Sequence, residues 1–215
     1  MKNLSELIEP SGIWTEKSAF IFDVYGTIAE IGHPTNPYKE LIRELVKAGY
    51  NESYQDKKWG FLTQNKSFET IMEECDGNNK LTKAVRSKLL GLLSEEVESI
   101  RLYDDVITTF KFLIDREIGV ALCSNLAQPY AEKVKLLLAD AKPDVFVCSF
   151  EEGIAKPHPN MFLSACKKMG IEKENVVVVG DSQKNDIDAA ESLGMKAIKI
   201  DRTLKISFFR HRGVF

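Results

Sequence analysis

The stretch AFIFDVYGT, residues 19–27, decides the fold. Four apolar residues lead directly to an acid, Asp23, and a turn sequence containing Gly26 follows. A short apolar run that ends at a turn is typical of a buried strand. Continuous apolar runs of this kind suit a parallel sheet that is covered on both faces. Four more runs have the same character, at residues 119–123, 145–148, 176–179 and 196–200.

Helix-like segments separate the last four of these strands and also precede the second strand. They cover residues 128–139, 159–169, 186–193 and 104–116. Strands that alternate with helices predict an α/β fold with a doubly wound parallel sheet.

The interval from Ile28 to Tyr103 breaks this alternation. It shows no convincing strand, and helix-like segments at residues 37–48, 54–65 and 81–100 fill most of it. The interval is too long for a simple crossover between strands. We therefore predict an α-helical cap inserted at residues 31–103, with residues 1–30 and 104–215 forming a Rossmann-like core.

The composition is that of an ordinary globular protein. Of 215 residues, 44% are hydrophobic and 28% are charged, and the formal net charge is -3. No basic stripe predicts nucleic-acid binding, and the basic residues at 208–212 are interpreted as a solvated or docked terminus. No apolar stretch approaches the ~20 residues that span a bilayer. Acids near the start, without a long apolar run, and scattered cysteines predict a cytoplasmic protein. The sequence leaves its oligomeric state open between a monomer and a small homo-oligomer.

Polar side chains follow the first four predicted strands at the point where each strand ends. In open parallel sheets, ligands bind beyond the carboxyl ends of the strands, so these side chains should share one pocket. They are Asp23 with Tyr25 and Thr27, then Ser124 with Asn125, then Lys156, and finally Asp181 with Asp186.

The chemistry of this set is coherent. Carboxylates gathered in one pocket repel each other unless a cation lies among them, and oxygen ligands with room for water suit Mg²⁺. Ser124 and Lys156 can bind anionic oxygens, the first by a hydrogen bond and the second by charge. The sequence therefore predicts a magnesium site that receives a small anionic substrate.

These four segments, in this order, resemble the four motifs of the haloacid dehalogenase-like hydrolase superfamily. The resemblance covers the core, whereas the cap agrees only in position and helical character. It implies that Asp23 is a nucleophile forming a covalent aspartyl intermediate. It also implies that Asp23, Asp181, Asp186 and the backbone carbonyl of Tyr25 hold magnesium. Ser124, Asn125 and Lys156 would bind and orient the transferring group, and Thr27 would support the loop by a hydrogen bond.

The first motif departs from the phosphatases of this superfamily. They resemble one another in an Asp-x-Asp sequence whose second acid is the general acid and base, and this chain has Tyr25 there. The sequence Asp-x-Tyr-Gly-Thr is instead similar to that of the 2-haloacid dehalogenases. A halide needs no proton to leave, so a dehalogenase does not require a general acid at this position.

The fourth motif points the other way, because the dehalogenases have Ser or Asn at the position of Asp181 and work without metal. They also carry an arginine early in the cap, for which Arg43 is the nearest candidate. We therefore expect a magnesium-dependent phosphatase with an atypical acid. A dehalogenase and a weakly active or non-catalytic relative that binds metal and anion remain the alternatives. A phosphonate hydrolase would need a cap lysine such as Lys57, Lys58 or Lys66.

Overall fold

The computed structural model describes Leu4, Ile8 and residues 18–202. The predictions for the remaining N-terminal residues and for the basic residues at 208–212 lie outside this described part. The strands are β1 (Ala19–Phe22), β2 (Ala29–Ile31), β3 (Ile100–Leu102), β4 (Gly119–Ser124), β5 (Val145–Cys148), β6 (Val176–Gly180) and β7 (Lys196–Lys199).

The longer helices are α1 (Pro37–Lys47), α2 (Tyr54–Thr63), α3 (Phe68–Cys75), α4 (Lys83–Glu98), α5 (Val106–Ile114), α6 (Gln128–Leu137) and α8 (Asn160–Met169). Two shorter helices are α7 (Ser149–Glu152) and α9 (Asp188–Ser192). A π-helical turn, Gln183–Ile187, immediately precedes α9.

The five predicted strands form one parallel sheet in the order β5-β4-β1-β6-β7, which confirms the predicted fold class. Strand β1 lies at the centre, and its Phe22 pairs with Leu122 of β4 on one side and Val179 of β6 on the other. This register brings the carboxyl ends of the three middle strands to the same level. The residues that follow them therefore meet at one edge of the sheet.

Alternate side chains of the sheet enter two hydrophobic clusters, one on each face. Phe20 and Phe22 belong to the larger cluster, which also contains side chains from α5 and α6. Ile21 belongs to the other cluster, which contains side chains from α8 and α9. Because both faces are covered, the strands are apolar throughout instead of alternating with polar residues.

The prediction that residues 28–103 contain no strand was wrong. Strands β2 and β3 pair in an antiparallel two-stranded sheet, with Ala29 opposite Leu102 and Ile31 opposite Ile100. Each is only three residues long, which is too short to show an alternating pattern. Helices α1 to α4 lie between these two strands along the chain. Helix α3 was also missed; it is one of four helices here, where the sequence indicated three.

The helices between β2 and β3 pack on the core as well as on each other. Tyr38 of α1, Phe61 of α2 and Leu89 of α4 belong to the same buried cluster as Phe22 of the central strand. The Ser149 hydroxyl at the start of α7 donates a hydrogen bond to the Leu62 carbonyl of α2, 2.5 Å away. Through these contacts the helical segment lies against the edge of the sheet at which β1 and β4 end.

Candidate active site

The carboxyl ends of β1 and β6 bring three acids together. Asp23, Asp181 and Asp186 each offer a carboxylate oxygen, and these atoms lie within 4.8 Å of one another. Asp23 and Asp186 are buried, whereas Asp181 is exposed. Asp186 belongs to the π-helical turn, where the Ser182 backbone N–H donates to its carboxylate at 3.0 Å. Such turns occur frequently at functional sites.

Lys156 is the cation of this pocket. Its ammonium lies 2.6 Å from Asp23 Oδ1 and 2.6 Å from Asp186 Oδ1, and its side chain is 3% exposed. Burial alone would lower the pKa of Lys156, but the charges of Asp23 and Asp186 outweigh burial and raise it. The lysine is therefore charged at neutral pH and binds two of the three acids.

The pKa values of Asp186 and Asp181 are both raised. Burial raises the pKa of Asp186, and the charge on Asp23 adds to this effect while Lys156 opposes it. Asp181 is exposed, but partial desolvation of its carboxyl, and then the charge on Asp23, also raise its pKa. Both shifts have the same cause, because a carboxylate charge is less stable away from water and close to a second carboxylate.

The residues of this pocket fit a divalent metal. Three carboxylates and one ammonium carry a formal charge of -3 + 1 = -2, which one Mg²⁺ would balance. The two glycines of these loops give the acids their space. A Cβ at Gly180 would lie 2.5 Å from the Asp186 carboxylate, and a Cβ at Gly26 would collide with Asp181. Hard oxygen ligands in this number are the donors that magnesium prefers.

The Asp23 carboxylate has one oxygen held by its neighbours. Within the described residues, the Ser124 hydroxyl donates to Oδ1 at 2.9 Å and Lys156 donates to the same atom. The Asp23 backbone N–H is fixed by the Val179 carbonyl, 2.9 Å away. This arrangement fixes the side chain while its hydrogen bonds leave Oδ2 for another partner.

Asn125 positions Lys156. Its side-chain Oδ1 accepts a hydrogen bond from the Lys156 backbone N–H at 2.7 Å, and its Nδ2 donates to the Lys156 carbonyl at 3.0 Å. The Oδ1 and Nδ2 atoms of Asn125 thus both form hydrogen bonds with the backbone of Lys156. Asn125 still lines the pocket, so its predicted contact with substrate stays a prediction.

The predicted hydrogen bond from Thr27 is not made among the described residues. Its hydroxyl is buried without a partner, and its side chain does not line the pocket of the three acids. Backbone hydrogen bonds hold this loop instead, including three that end on the Val24 carbonyl. Arg202, which the sequence did not indicate, donates from Nε and Nη2 to the Thr27 carbonyl at 2.9 and 2.7 Å. Arg202 also pairs with Asp105 at 2.8 Å.

Tyr25 lies at the junction between the pocket of the three acids and a second cavity. Its hydroxyl is buried and has no hydrogen-bond partner among the described residues. Burial, and then the nearby charge of Glu96, raise the pKa of Tyr25 above its ordinary value. The phenol therefore remains protonated at any ordinary pH and is a weak proton donor.

Three of the four basic residues named by the alternative hypotheses pair with acids, and the fourth lines a cavity. Arg43 is 71% exposed and pairs with Glu40 on the same helix. Lys57 pairs with Glu52, and Lys66 pairs with Glu74. Lys58 lines the second cavity.

Similarity to known proteins covers most of the chain. The profile of the haloacid dehalogenase-like hydrolases matches residues 17–194. The chain belongs to this family. It is 28% identical over 203 residues to a glyceraldehyde 3-phosphate phosphatase of Methanopyrus kandleri, covering 86% of this chain and 84% of the relative.

Solved structures of the family share the fold. A family enzyme of Bacteroides thetaiotaomicron, in complex with magnesium and inorganic phosphate, matches with a TM-score of 0.63 at 15% identity, over 88% of this chain and 97% of that one. A 2-haloacid dehalogenase of Pseudomonas syringae matches with a TM-score of 0.61 at 19% identity, over 91% of each chain. At these identities the likeness shows the fold alone.

Within the described residues, no helix is long and apolar enough to cross a membrane.

Proposed function

We propose that this hydrolase is a magnesium-dependent phosphatase that acts on small phosphorylated metabolites through an aspartyl-phosphate on Asp23. The observation that carries the proposal is the convergence of Asp23, Asp181 and Asp186 with Lys156 bound between two of them. The phosphatase activity of the Methanopyrus kandleri relative supports the same reaction class.

Each residue of the pocket has a role in this reaction. Asp23 attacks phosphorus with one carboxylate oxygen, and the bond from phosphorus to the ester oxygen breaks. Lys156 and Ser124 hold the carboxylate in position and face the transferring phosphoryl group, whose charge the ammonium offsets. Water then attacks the aspartyl-phosphate, which releases phosphate and restores Asp23.

Asp23, Asp181, Asp186 and the Tyr25 carbonyl would hold magnesium in this proposal. The ion supplies charge neutralisation, which lets an anionic nucleophile approach an anionic phosphate. The three carboxylates and one ammonium of the pocket, with their net formal charge of -2, support this role. The loss of the second acid at Tyr25 leaves the release of the ester oxygen to other groups.

We also propose the division of the chain into a core and a cap over residues 31–103. Helices α1 to α4 and strand β3 lie inside this range, and β2, which pairs with β3, crosses its first boundary. A cytoplasmic location is part of the same proposal. The four cysteines are all free, which suits a reducing compartment.

The test is phosphate release from a panel of phosphomonoesters and acetyl phosphate, with and without Mg²⁺, using Asp23→Asn as the blank. The proposal requires release that depends on both the metal and Asp23. A second measurement follows thermal stabilisation by Mg²⁺ with beryllium fluoride, which mimics an aspartyl-phosphate and needs no turnover. Stabilisation without turnover would favour a non-catalytic relative, and chloride release from a 2-haloacid without Mg²⁺ would favour a dehalogenase.

A further inference from the structure

A second cavity, of about 170 Å³, opens beside the pocket of the three acids and shares Tyr25 and Asn125 with it. We call it the aromatic cavity, because rings from both the helical segment and the core form its walls. Tyr38 of α1 contributes one ring, Phe61 of α2 another and Tyr130 of α6 a third. The Tyr38 and Phe61 centroids are 5.2 Å apart, and Tyr25 meets Tyr130 edge to face at 6.3 Å.

The acid that lines the aromatic cavity in the described part of the chain is Glu96, and both of its carboxylate oxygens accept hydrogen bonds. It is 5% exposed. The Tyr130 hydroxyl donates to its Oε1 at 2.7 Å, and the Asn36 backbone N–H donates to its Oε2 at 2.5 Å. The Thr35 hydroxyl lies 3.3 Å from the same Oε2. Glu96 therefore joins α4, the start of α1 and the core helix α6, and is not a spare proton donor.

The remaining polar groups of the cavity suit the phosphoryl end of a ligand. Lys39 and Lys58 line the cavity and provide positive charge that attracts a phosphorylated molecule. The hydroxyls of Tyr25 and Tyr38 are buried away from solvent in the part of the chain described, so these two residues line the cavity with their rings. The cavity thus combines aromatic rings and positive charge with no free carboxylic acid among its described residues.

The absence of such an acid limits which esters can react. When Asp23 forms its bond to phosphorus, the ester oxygen departs with the electron pair of the broken bond. An alkoxide needs a proton at this step, and a positioned acid supplies a factor of roughly 10²–10⁴. A phenolate does not need it, because phenols ionise near pH 10, as the tyrosine side chain does.

We propose that the substrates are phosphate monoesters of aromatic hydroxyl compounds, whose ring occupies the aromatic cavity and departs as a phenolate. This inference rests on the phosphatase function proposed above. The atoms balance without a further reactant: the phenolate takes a proton from water after it leaves, and the aspartyl-phosphate is hydrolysed by a second water. Ring stacking on Tyr38, Phe61 and Tyr130 provides the binding energy.

The first experiment measures kcat/KM for substituted phenyl phosphates, simple alkyl phosphates and acetyl phosphate in the presence of Mg²⁺. We expect aryl esters to exceed alkyl esters at least 100-fold, and the rate to rise with the acidity of the phenol. Tyr25→Asp should raise turnover of alkyl esters at least tenfold and flatten the dependence on phenol acidity. Tyr25→Asn is the control, because asparagine has the shape of aspartate but cannot donate a carboxylic proton; it should produce neither change.

The second experiment separates the cavity from leaving-group acidity. Ile31 lines the aromatic cavity, and Ile31→Phe narrows it. This variant should lower kcat/KM for p-nitrophenyl phosphate at least tenfold more than for acetyl phosphate, which has an acidic leaving group and no ring. Equal losses for the two substrates, or equal rates for aryl and alkyl esters, would overturn the inference and leave the phosphatase function intact. Failure to hydrolyse any of the substrates would overturn both.

Discussion

The substitution Lys156→Met tests the charge balance of the pocket most directly. Methionine keeps the length and apolar stem of the side chain but leaves Asp23 and Asp186 without the ammonium that lies 2.6 Å from each. Removing one partner of a buried ion pair costs about 3–5 kcal/mol of unfolding free energy. At about 1.4 kcal/mol for each factor of ten, the unfolding constant should rise by roughly two to more than three powers of ten.

The assay is urea unfolding at pH 7 with EDTA, followed by circular dichroism. With a slope of about 2 kcal/mol per molar urea, the midpoint should fall by roughly 1.5–2.5 M. At pH 7 the contribution of Lys156 to stability is fully present. A lysine with a raised pKa contributes its full stability below the ordinary value of about 10.4, so pH 7 lies inside that window. Adding Mg²⁺ should stabilise the variant more than the wild type, because the variant pocket carries one more uncompensated negative charge.

Lys168→Met is the matched control. Lys168 pairs with Glu152 at 2.7 Å, as close as the buried pairs, but its side chain is 44% exposed. An exposed pair contributes about 0–1 kcal/mol, so this variant should unfold near the wild-type midpoint. If the two variants lost equal stability in EDTA, the argument that Lys156 neutralises a buried acid cluster would be refuted.

Two further predictions concern other parts of the molecule. Gly180→Ala should lower magnesium-dependent phosphate release about 100-fold, because its Cβ would displace the Asp186 carboxylate. The control is Gly91→Ala in α4, whose Cβ would have nothing within 4 Å; it should keep activity and raise the free energy of unfolding by about 0.8–1 kcal/mol. A normal rate for Gly180→Ala would contradict this account. Burial raises the pKa of the Cys123 thiol to about 12. Iodoacetamide at pH 8 should therefore label half-buried Cys75 first and Cys123 only after unfolding, as followed by peptide mass spectrometry. Early labelling of Cys123 would contradict its burial.

The sequence predicted the sheet well because its strands are buried on both faces. The apolar runs give β1 and β5 to the residue, and β4 and β7 differ from the prediction by one residue at the carboxyl end. The side chains that follow these strands could be identified for the same reason, since parallel strands deliver them to one edge. Their convergence near Asp23 follows from topology more than from local pattern.

The features that the sequence did not reveal depend on contacts between distant residues. Strands β2 and β3 are too short to show a period, and their pairing joins residues about seventy positions apart. The aromatic cavity collects side chains from four helices, α1, α2, α4 and α6, and the local sequence of no single helix indicates a shared cavity. The hydrogen bond from Tyr130 to Glu96 likewise joins two helices, α6 and α4, whose local sequences do not predict it.

The contact between Arg202 and the Thr27 carbonyl has a consequence for the order in which the site is assembled. The loop that carries the proposed nucleophile emerges early from the ribosome, but the guanidinium that holds its backbone is made 175 residues later. Lys156 and Asp186 also arrive in the last third of the chain. A nascent chain that ends before Lys156 carries Asp23 without the ammonium that neutralises it. The proposed active site can therefore be complete only when synthesis has passed β7 and reached Arg202.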